Sequence, residues 1–291
     1  MTRGISSKRI AIVGSGIAGQ TAAYLLSREH HITLFEANDY LGGHTATVDV
    51  EVDGQQLAID TGFIVFNDRT YPNFIKLMDS LGVAKQATEM SFSVHNQANG
   101  FEYNGHSLDS MFAQRRNLFN PRFYGFIAEI LRFNRLAKQA GQRRDANAGQ
   151  TLGDFLQSHT FSDYFTHHYI LPMVAAIWSS PVDRCRQFPL KFFLQFFSHH
   201  GLLDISNRPQ WYVISGGSKS YIPHLTKPVQ DIRLMNPVKA VKRNTDSVDI
   251  LSESGLETFD EVIFACHSDQ ALALLADSSM EERHILGALP Y

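Results

Sequence analysis

Three glycines at positions 14, 16 and 19 stand in the spacing G-x-G-x-x-G, and a carboxylate, Glu36, follows 22 residues after the first. Together they have the residue types and spacing needed to hold a dinucleotide. Gly14 permits a tight turn, and Gly16 lets backbone approach a pyrophosphate with no Cβ in the way. The free backbone N–H groups at the N-terminus of the helix that follows the glycines would face the phosphates with partial positive charge. Glu36 would accept hydrogen bonds from an adenosine ribose and repel a 2′-phosphate, which disfavours NADP.

The elements that must position these groups are legible around them. Ile10-Ala11-Ile12-Val13 reads as an apolar strand running into the glycines, and Thr21 to Arg28 reads as a helix. Gly19 and Ala23 would let that helix lie close on the sheet. A second strand, Ile32 to Phe35, delivers Glu36 and Ala37. A glycine-rich turn in an unliganded α/β fold is the plain alternative. Strand, helix and acid falling in register argue against it.

The motif alone does not separate NAD from FAD. Tyr40-Leu41-Gly42-Gly43-His44-Thr45 follows, and two consecutive glycines beyond the acid make a second place where backbone could approach a ligand. A simple turn is the other reading of that pair.

At this point the chain resembles a family. Ile10 to Thr47 is similar to the start of the flavin-containing amine oxidase superfamily, which includes amine oxidases, protoporphyrinogen oxidase and carotenoid desaturases. The stretches Tyr40 to Thr45 and Asp60-Thr61-Gly62-Phe63-Ile64-Val65-Phe66-Asn67 resemble more closely a bacterial group of FAD-dependent oxidoreductases. Further likeness lies at Arg208 to Trp211, Gly216-Gly217-Ser218 and Asp260 to His267. The resemblance implies FAD as cofactor, with Gly14, Ser15, Gly16, Ile17, Ala18 and Gly19 at the pyrophosphate. It places Glu36 and Ala37 at the ribose, Gly42, Gly43, His44 and Thr45 toward the flavin, and Gly62 and Phe63 near its ring. Val238 would meet the adenine through its backbone. Relatives usually carry arginines beside the glycine pair, where this chain has Tyr40 and His44.

The implied fold class is α/β: a Rossmann-type FAD-binding domain with an inserted, mainly helical substrate domain. Composition agrees, since 15 of the 21 phenylalanines lie between Phe92 and Phe197 while the flanks are rich in β-branched runs. The expected divisions are 1–75 and 206–280 for the FAD-binding domain and 76–205 for the insert. Residues 281–291 would begin a further segment, and the chain is expected to be C-terminally truncated relative to the family fold.

The 291 residues are 44% hydrophobic, so the chain can bury a sizeable core, and the net charge of -3 argues against a nucleic-acid binder. Cys185 and Cys266 are too few for a disulfide framework. No apolar run reaches the roughly 18 residues of a membrane span, and with no signal-peptide pattern a cytoplasmic protein is expected. Residues 115–144 hold eight cations (Arg115, Arg116, Arg122, Arg132, Arg135, Lys138, Arg143, Arg144) against Glu129 alone. Phe126, Ile130, Phe133, Ala137 and Ala140 recur there at helical spacing, so this is a basic amphipathic helix. Its basic back is either a solvated face or a peripheral contact with an anionic membrane. Gln139 to Gln150 reads as a surface loop.

The pairs His30-His31, His167-His168 and His199-His200 lack metal-ligand spacing, and no metal is expected. Cys266-His267 follows a strand, with Ser268 or Asp269 expected to cap a helix over Gln270 to Ala276. Tyr169 to Trp178 is apolar all round, with a kink expected at Pro172; it is either a buried helix or the wall of an apolar tunnel. No side chain is singled out as catalytic. The expected chemistry is hydride abstraction from an apolar, lipid- or isoprenoid-like substrate onto flavin N5. A small amine as substrate, or a non-catalytic fragment that docks to a membrane or partner, are the alternatives.

Overall fold

A computed structural model describes residues 6–142, 149–204 and 208–289. They fall into two compact units. One holds the residues up to Val65, Asn73–Gln86 and those from Val213 onward; the other holds Phe66–Pro72 and Ala87–Tyr212. The crossings therefore lie at 65, 72, 86 and 212, against the expected 75 and 205. Phe66 and Asn67 pair with Tyr212 and Trp211, which ties the short 66–72 segment to the second unit.

In the first unit, strand alternation sets up three layers. β1 (Arg9–Val13) runs parallel between β2 (His31–Phe35) and the strand Glu261–Phe264, and Asp231–Arg233 adds to the far side of β2. Successive side chains of a strand face opposite ways. Ile10, Ile12, Ile32 and Leu34 therefore pack with Ala23 of helix α1 (Ile17–Leu26). Ala11, Val13 and Phe35 face the other way and share a core with Val238, Val241, Ile250 and Phe259 of an antiparallel meander. β3 (Thr47–Val52) and β4 (Gln55–Asp60) form a hairpin turned by Asp53 and Gly54, both with positive φ.

Helix α1 starts one turn earlier than its hydrophobic pattern suggests, because Gly16 is its N-cap. It stops before Arg28, with Ser27 as C-cap and the Ser27 hydroxyl donating to the Ala23 carbonyl at 2.6 Å. The helix after the last sheet strand is also earlier than expected. It spans Ser268–Leu274 with His267 at the N-cap, so neither Ser268 nor Asp269 caps it. Only three residues separate it from the strand ending at Phe264, so it starts at once.

The second unit is mainly helical. Helix Pro121–Gln142 buries Phe123, Phe126, Ile130, Phe133 and Ala137, whereas Ala140 is only partly covered. These residues join Phe155, Phe165, Phe193 and Phe197 in one core. The phenylalanine abundance of this segment is thus largely packing. The long helix also runs to Gln142, into the expected loop; Arg143, Arg144 and the middle of that loop lie outside the described residues, as do Pro290 and Tyr291. Pro172 stands in the first turn of helix Leu171–Trp178, after a π-helical turn over Thr166–Ile170. The helix does not begin there, since Ile170 and Leu171 are already helical and the Leu171 N–H donates to the Thr166 carbonyl; the π-helical turn interrupts it just before Pro172, where the sequence predicts a kink. Tyr169, Ile170, Leu171, Met173 and Val174 enter the core, as the buried-helix reading requires. Among the described residues, no helix is long and apolar enough to cross a membrane.

The closest approach in the first unit is testable. A Cβ on Gly19 would stand 1.9 Å from the Gly14 carbonyl oxygen and 3.2 Å from the Ala265 Cβ. Gly19→Ala should therefore cost at least about 2 kcal/mol of stability, the scale of core overpacking, read as a lowered midpoint of thermal or urea unfolding. An unchanged midpoint would mean that α1 does not lie this close to the sheet.

Candidate functional site

The turn between β1 and α1 is fixed by contacts that a side chain would break. Gly14 has φ +103°, and a Cβ there would meet the Ala265 carbonyl oxygen at 2.8 Å. Its N–H donates to the Phe35 carbonyl at 2.9 Å. Gly16 differs: its φ of -62° suits any residue, and a Cβ there would meet nothing within 4 Å. Gly16 thus borders open space at the start of α1. No side chain caps this helix end, and its first turn carries no acid. Its free N–H groups are the usual seat of an anion.

Glu36 is 7% exposed beside that turn. One carboxylate oxygen accepts from the Ser15 N–H at 3.0 Å and from the Ser15 hydroxyl. The other accepts from the Asn38 N–H at 2.9 Å and the Asn38 amide at 3.0 Å. Four donors are about the capacity of a carboxylate. In this arrangement Glu36 fastens Ser15 to the Glu36–Asn38 turn, so a ribose diol would have to share or replace one of these donors. Ala37 is exposed beside it.

The Gly42-Gly43 pair folds back onto the same turn. Gly42 N–H donates to the Ser15 carbonyl at 3.1 Å and faces the Ser15 hydroxyl at 3.3 Å, and Gly42 bridges to Gly16. A Cβ on Gly43 would come within 3.3 Å of the Gly16 Cα. The next residue, His44, is exposed and stacks on His267 with centroids 6.2 Å apart and planes 14° apart. The His44 carbonyl accepts from Phe63 N–H at 3.0 Å and lies 2.1 Å from any Cβ on Gly62. Gly42, Gly43, His44, Gly62 and Phe63 are therefore contiguous with the first glycine turn.

Two expected site residues have buried side chains. The Thr45 hydroxyl is buried against the Tyr221 hydroxyl, so it serves the fold. The side chain of Val238 is in the core between sheet and meander. Its neighbour Asn236 donates to the Glu36 carbonyl at 2.9 Å, which brings the start of the meander to the end of β2. Pattern reading did not point to Asn38, Tyr221 or the His267 stack. Asn38 carries a faint signal, a side chain that bonds two residues back to an acid in a turn. Tyr221 carries none, being joined to Thr45 across 176 positions.

A second polar cluster ties the β3–β4 hairpin to the turn at 216–218. One Asp60 oxygen accepts from Ser218 N–H at 2.8 Å, the Ser218 hydroxyl at 2.8 Å and the Thr47 hydroxyl at 2.6 Å. Gly217, at φ +87°, would place a Cβ 2.4 Å from the Thr47 methyl. As for Cys266, burial pushes its thiol up, the opposite of an activated nucleophile.

An open approach at Gly16, an uncapped helix start and a buried carboxylate beside both fit a dinucleotide with its pyrophosphate at α1. The comparisons with known proteins agree with this geometry. Residues 17–288 match the flavin containing amine oxidoreductase family, and the chain belongs to it. FAD is the cofactor of this fold. The chain is 37% identical over 92 residues to a zeta-carotene desaturase of Synechocystis, covering 31% of this chain and 18% of that one. It is 26% identical over 191 residues to protoporphyrinogen oxidase 2 of Arabidopsis thaliana, covering 62% and 34%. The solved cyclohexylamine oxidase of Brevibacterium oxydans superposes with a TM-score of 0.71 at 17% identity, over 97% of this chain and 63% of that one. The chain thus spans less than two thirds of these relatives.

The contrast between Gly16 and Gly19 gives a direct check. Gly16→Ala should leave the unfolding midpoint unchanged while weakening FAD binding at least about tenfold, or about 1.4 kcal/mol, by flavin fluorescence titration. Equal affinity in the variant would show that no ligand passes over Gly16.

Proposed function

We propose that the chain is an FAD-dependent oxidoreductase that takes a hydride from a C–H bond of an apolar, lipid- or isoprenoid-like substrate. The observation that carries the proposal is the open backbone at Gly16, facing an uncapped helix start with buried Glu36 alongside. Bound there, FAD supplies a two-electron acceptor at N5, with dioxygen or a quinone as the class of reoxidant.

The chain's own residues bind and orient. The first-turn N–H groups of Ile17, Ala18 and Gly19 would donate to the pyrophosphate oxygens across Gly16. Glu36 would accept from the ribose while holding Ser15, and the backbone of Val238 would meet the adenine. Gly42 and Gly43 let the chain fold closely onto Ser15 and Gly16, and His44 would donate a hydrogen bond where relatives have arginine. The Asp60 cluster holds the Gly62–Phe63 backbone in register with His44, on the side expected to meet the flavin ring.

The choice of an apolar substrate rests on likeness to carotenoid chemistry. The zeta-carotene desaturase match supports it, while the likeness to cyclohexylamine oxidase is one of fold. The aromatic content of the second unit gives no added support, since most of it is core.

The test is an absorbance spectrum of the chain after gel filtration with FAD, followed by anaerobic mixing with a carotenoid, an unsaturated acyl lipid or a primary amine. Retained flavin bands, bleached at least about tenfold faster by a lipid than by the amine, are expected, a discrimination well within reach of an apolar pocket. A folded but colourless protein would overturn the cofactor assignment. Bleaching by the amine alone would overturn the substrate class.

A further inference from the structure

The second unit exposes apolar side chains on a segment rich in cations. Leu108 is 78% exposed and Phe119 90% exposed, and Leu118, Tyr124 and Leu131 are half-exposed or slightly less. The Phe119 turn is held in place from within. Asn117 is buried, its N–H donates to the Gln114 carbonyl at 2.8 Å, and the Gln114 amide donates to the Gly100 carbonyl at 2.6 Å. The Tyr124 hydroxyl donates to the Leu118 carbonyl at 3.0 Å, so the turn Arg115–Phe119 sits against the first turn of the helix Pro121–Gln142. Phe119 is therefore displayed on a braced turn.

The charge around it is mainly positive. Described residues 108–142 carry six cations against Asp109 and Glu129. Asp109 pairs with Arg115, and Glu129 is taken up by the Ser162 N–H and hydroxyl. The outward stripe of the long helix, with Tyr124, Gly125, Ala128, Leu131, Arg135 and Lys138, holds no acid of its own, and of its two cations Lys138 pairs with Asp204 while Arg135 is exposed. A stripe built only for solvent usually mixes both signs.

We infer that this surface, from Leu108 through the Phe119 tip and along the outer face of the 121–142 helix, docks on an anionic lipid bilayer. Phe119, Leu118 and Leu108 would enter the headgroup–acyl boundary, and Arg116, Arg122 and Arg135 would meet lipid phosphates and carboxylates. Exposed aliphatic side chains favour hydrocarbon over nucleic acid, whose bases call for stacking aromatics and hydrogen-bond donors. The inference needs no flavin and stands apart from the redox reading.

The experiment is cosedimentation of the full chain, with and without FAD, on phosphatidylcholine vesicles with and without phosphatidylglycerol. Binding to the anionic vesicles is expected, falling at least about tenfold in high salt or without the anionic lipid. Phe119→Glu changes an exposed tip, so circular dichroism should be unaltered while binding falls at least about tenfold. Arg122→Glu with Arg135→Glu should weaken it similarly and flatten its salt dependence. No sedimentation of the parent chain, or equal sedimentation of folded Phe119→Glu, would overturn the proposal. So would self-association of the parent chain that Phe119→Glu abolishes and vesicles leave unchanged, since the tip would then face a second copy.

Discussion

The carboxylate of Glu36 is withdrawn from water and held by donors from Ser15 and Asn38, and the first unit is organised around that fact. A buried carboxylate without partners costs several kcal/mol, so the segments that supply the donors cannot drift. Ser15 lies at the end of β1, Glu36 at the end of β2, and Gly42 joins both through the Ser15 carbonyl and hydroxyl. The Asn236 N–H bonds to the Glu36 carbonyl and brings in the meander. Four chain segments are thus tied together through Glu36 and Ser15. An ionised group there would normally be satisfied by the helix amides themselves. Glu36 is satisfied elsewhere, which leaves those amides for a different anion.

Around this point the glycines divide into two kinds. Gly14, Gly19, Gly42, Gly62 and Gly217 have atoms of the protein itself, mostly backbone, where a Cβ would go. They allow the chain to pack on itself. Gly16 faces empty space in an ordinary backbone conformation, so packing gives no reason for its being glycine. An external partner that needs close backbone approach gives one. The same pattern of three glycines therefore contains two positions fixed by packing and one that borders open space, a division that spacing alone does not reveal.

What the sequence made legible was local or short in range. β1, β2 and the strand at Glu261 were readable because buried parallel strands are continuous apolar runs bounded by glycine or charge. The long helix was readable from Phe126, Ile130, Phe133 and Ala137 at regular spacing. Helix starts were misread at α1 and at Ser268 because a Gly or His N-cap gives a weaker signal than the usual Ser, Thr or Asp. The irregularity at Pro172 is legible because a proline inside a helix removes an N–H donor, and the π-helical turn before it takes up the change. The Asp60–Ser218 and Thr45–Tyr221 contacts join positions more than 150 apart, and nothing in local pattern encodes them. The glycine cradle came from spacing, its extension to Gly62, Phe63 and Val238 from resemblance.

The phenylalanines bear on what the second unit is for. Phe123, Phe126, Phe133, Phe155, Phe165, Phe193 and Phe197 interlock through ring pairs such as Phe133 on Phe165 at 5.5 Å and Phe193 on Phe197 at 4.0 Å. Such a core needs no substrate to explain its composition. The informative aromatics are the ones left outside it. Phe119 gains nothing from folding, since a side chain that stays 90% exposed buries almost no surface. A braced turn that holds it in water, with arginines before and after it in the chain, keeps apolar surface available for burial outside the fold, which is what the proposed lipid contact uses.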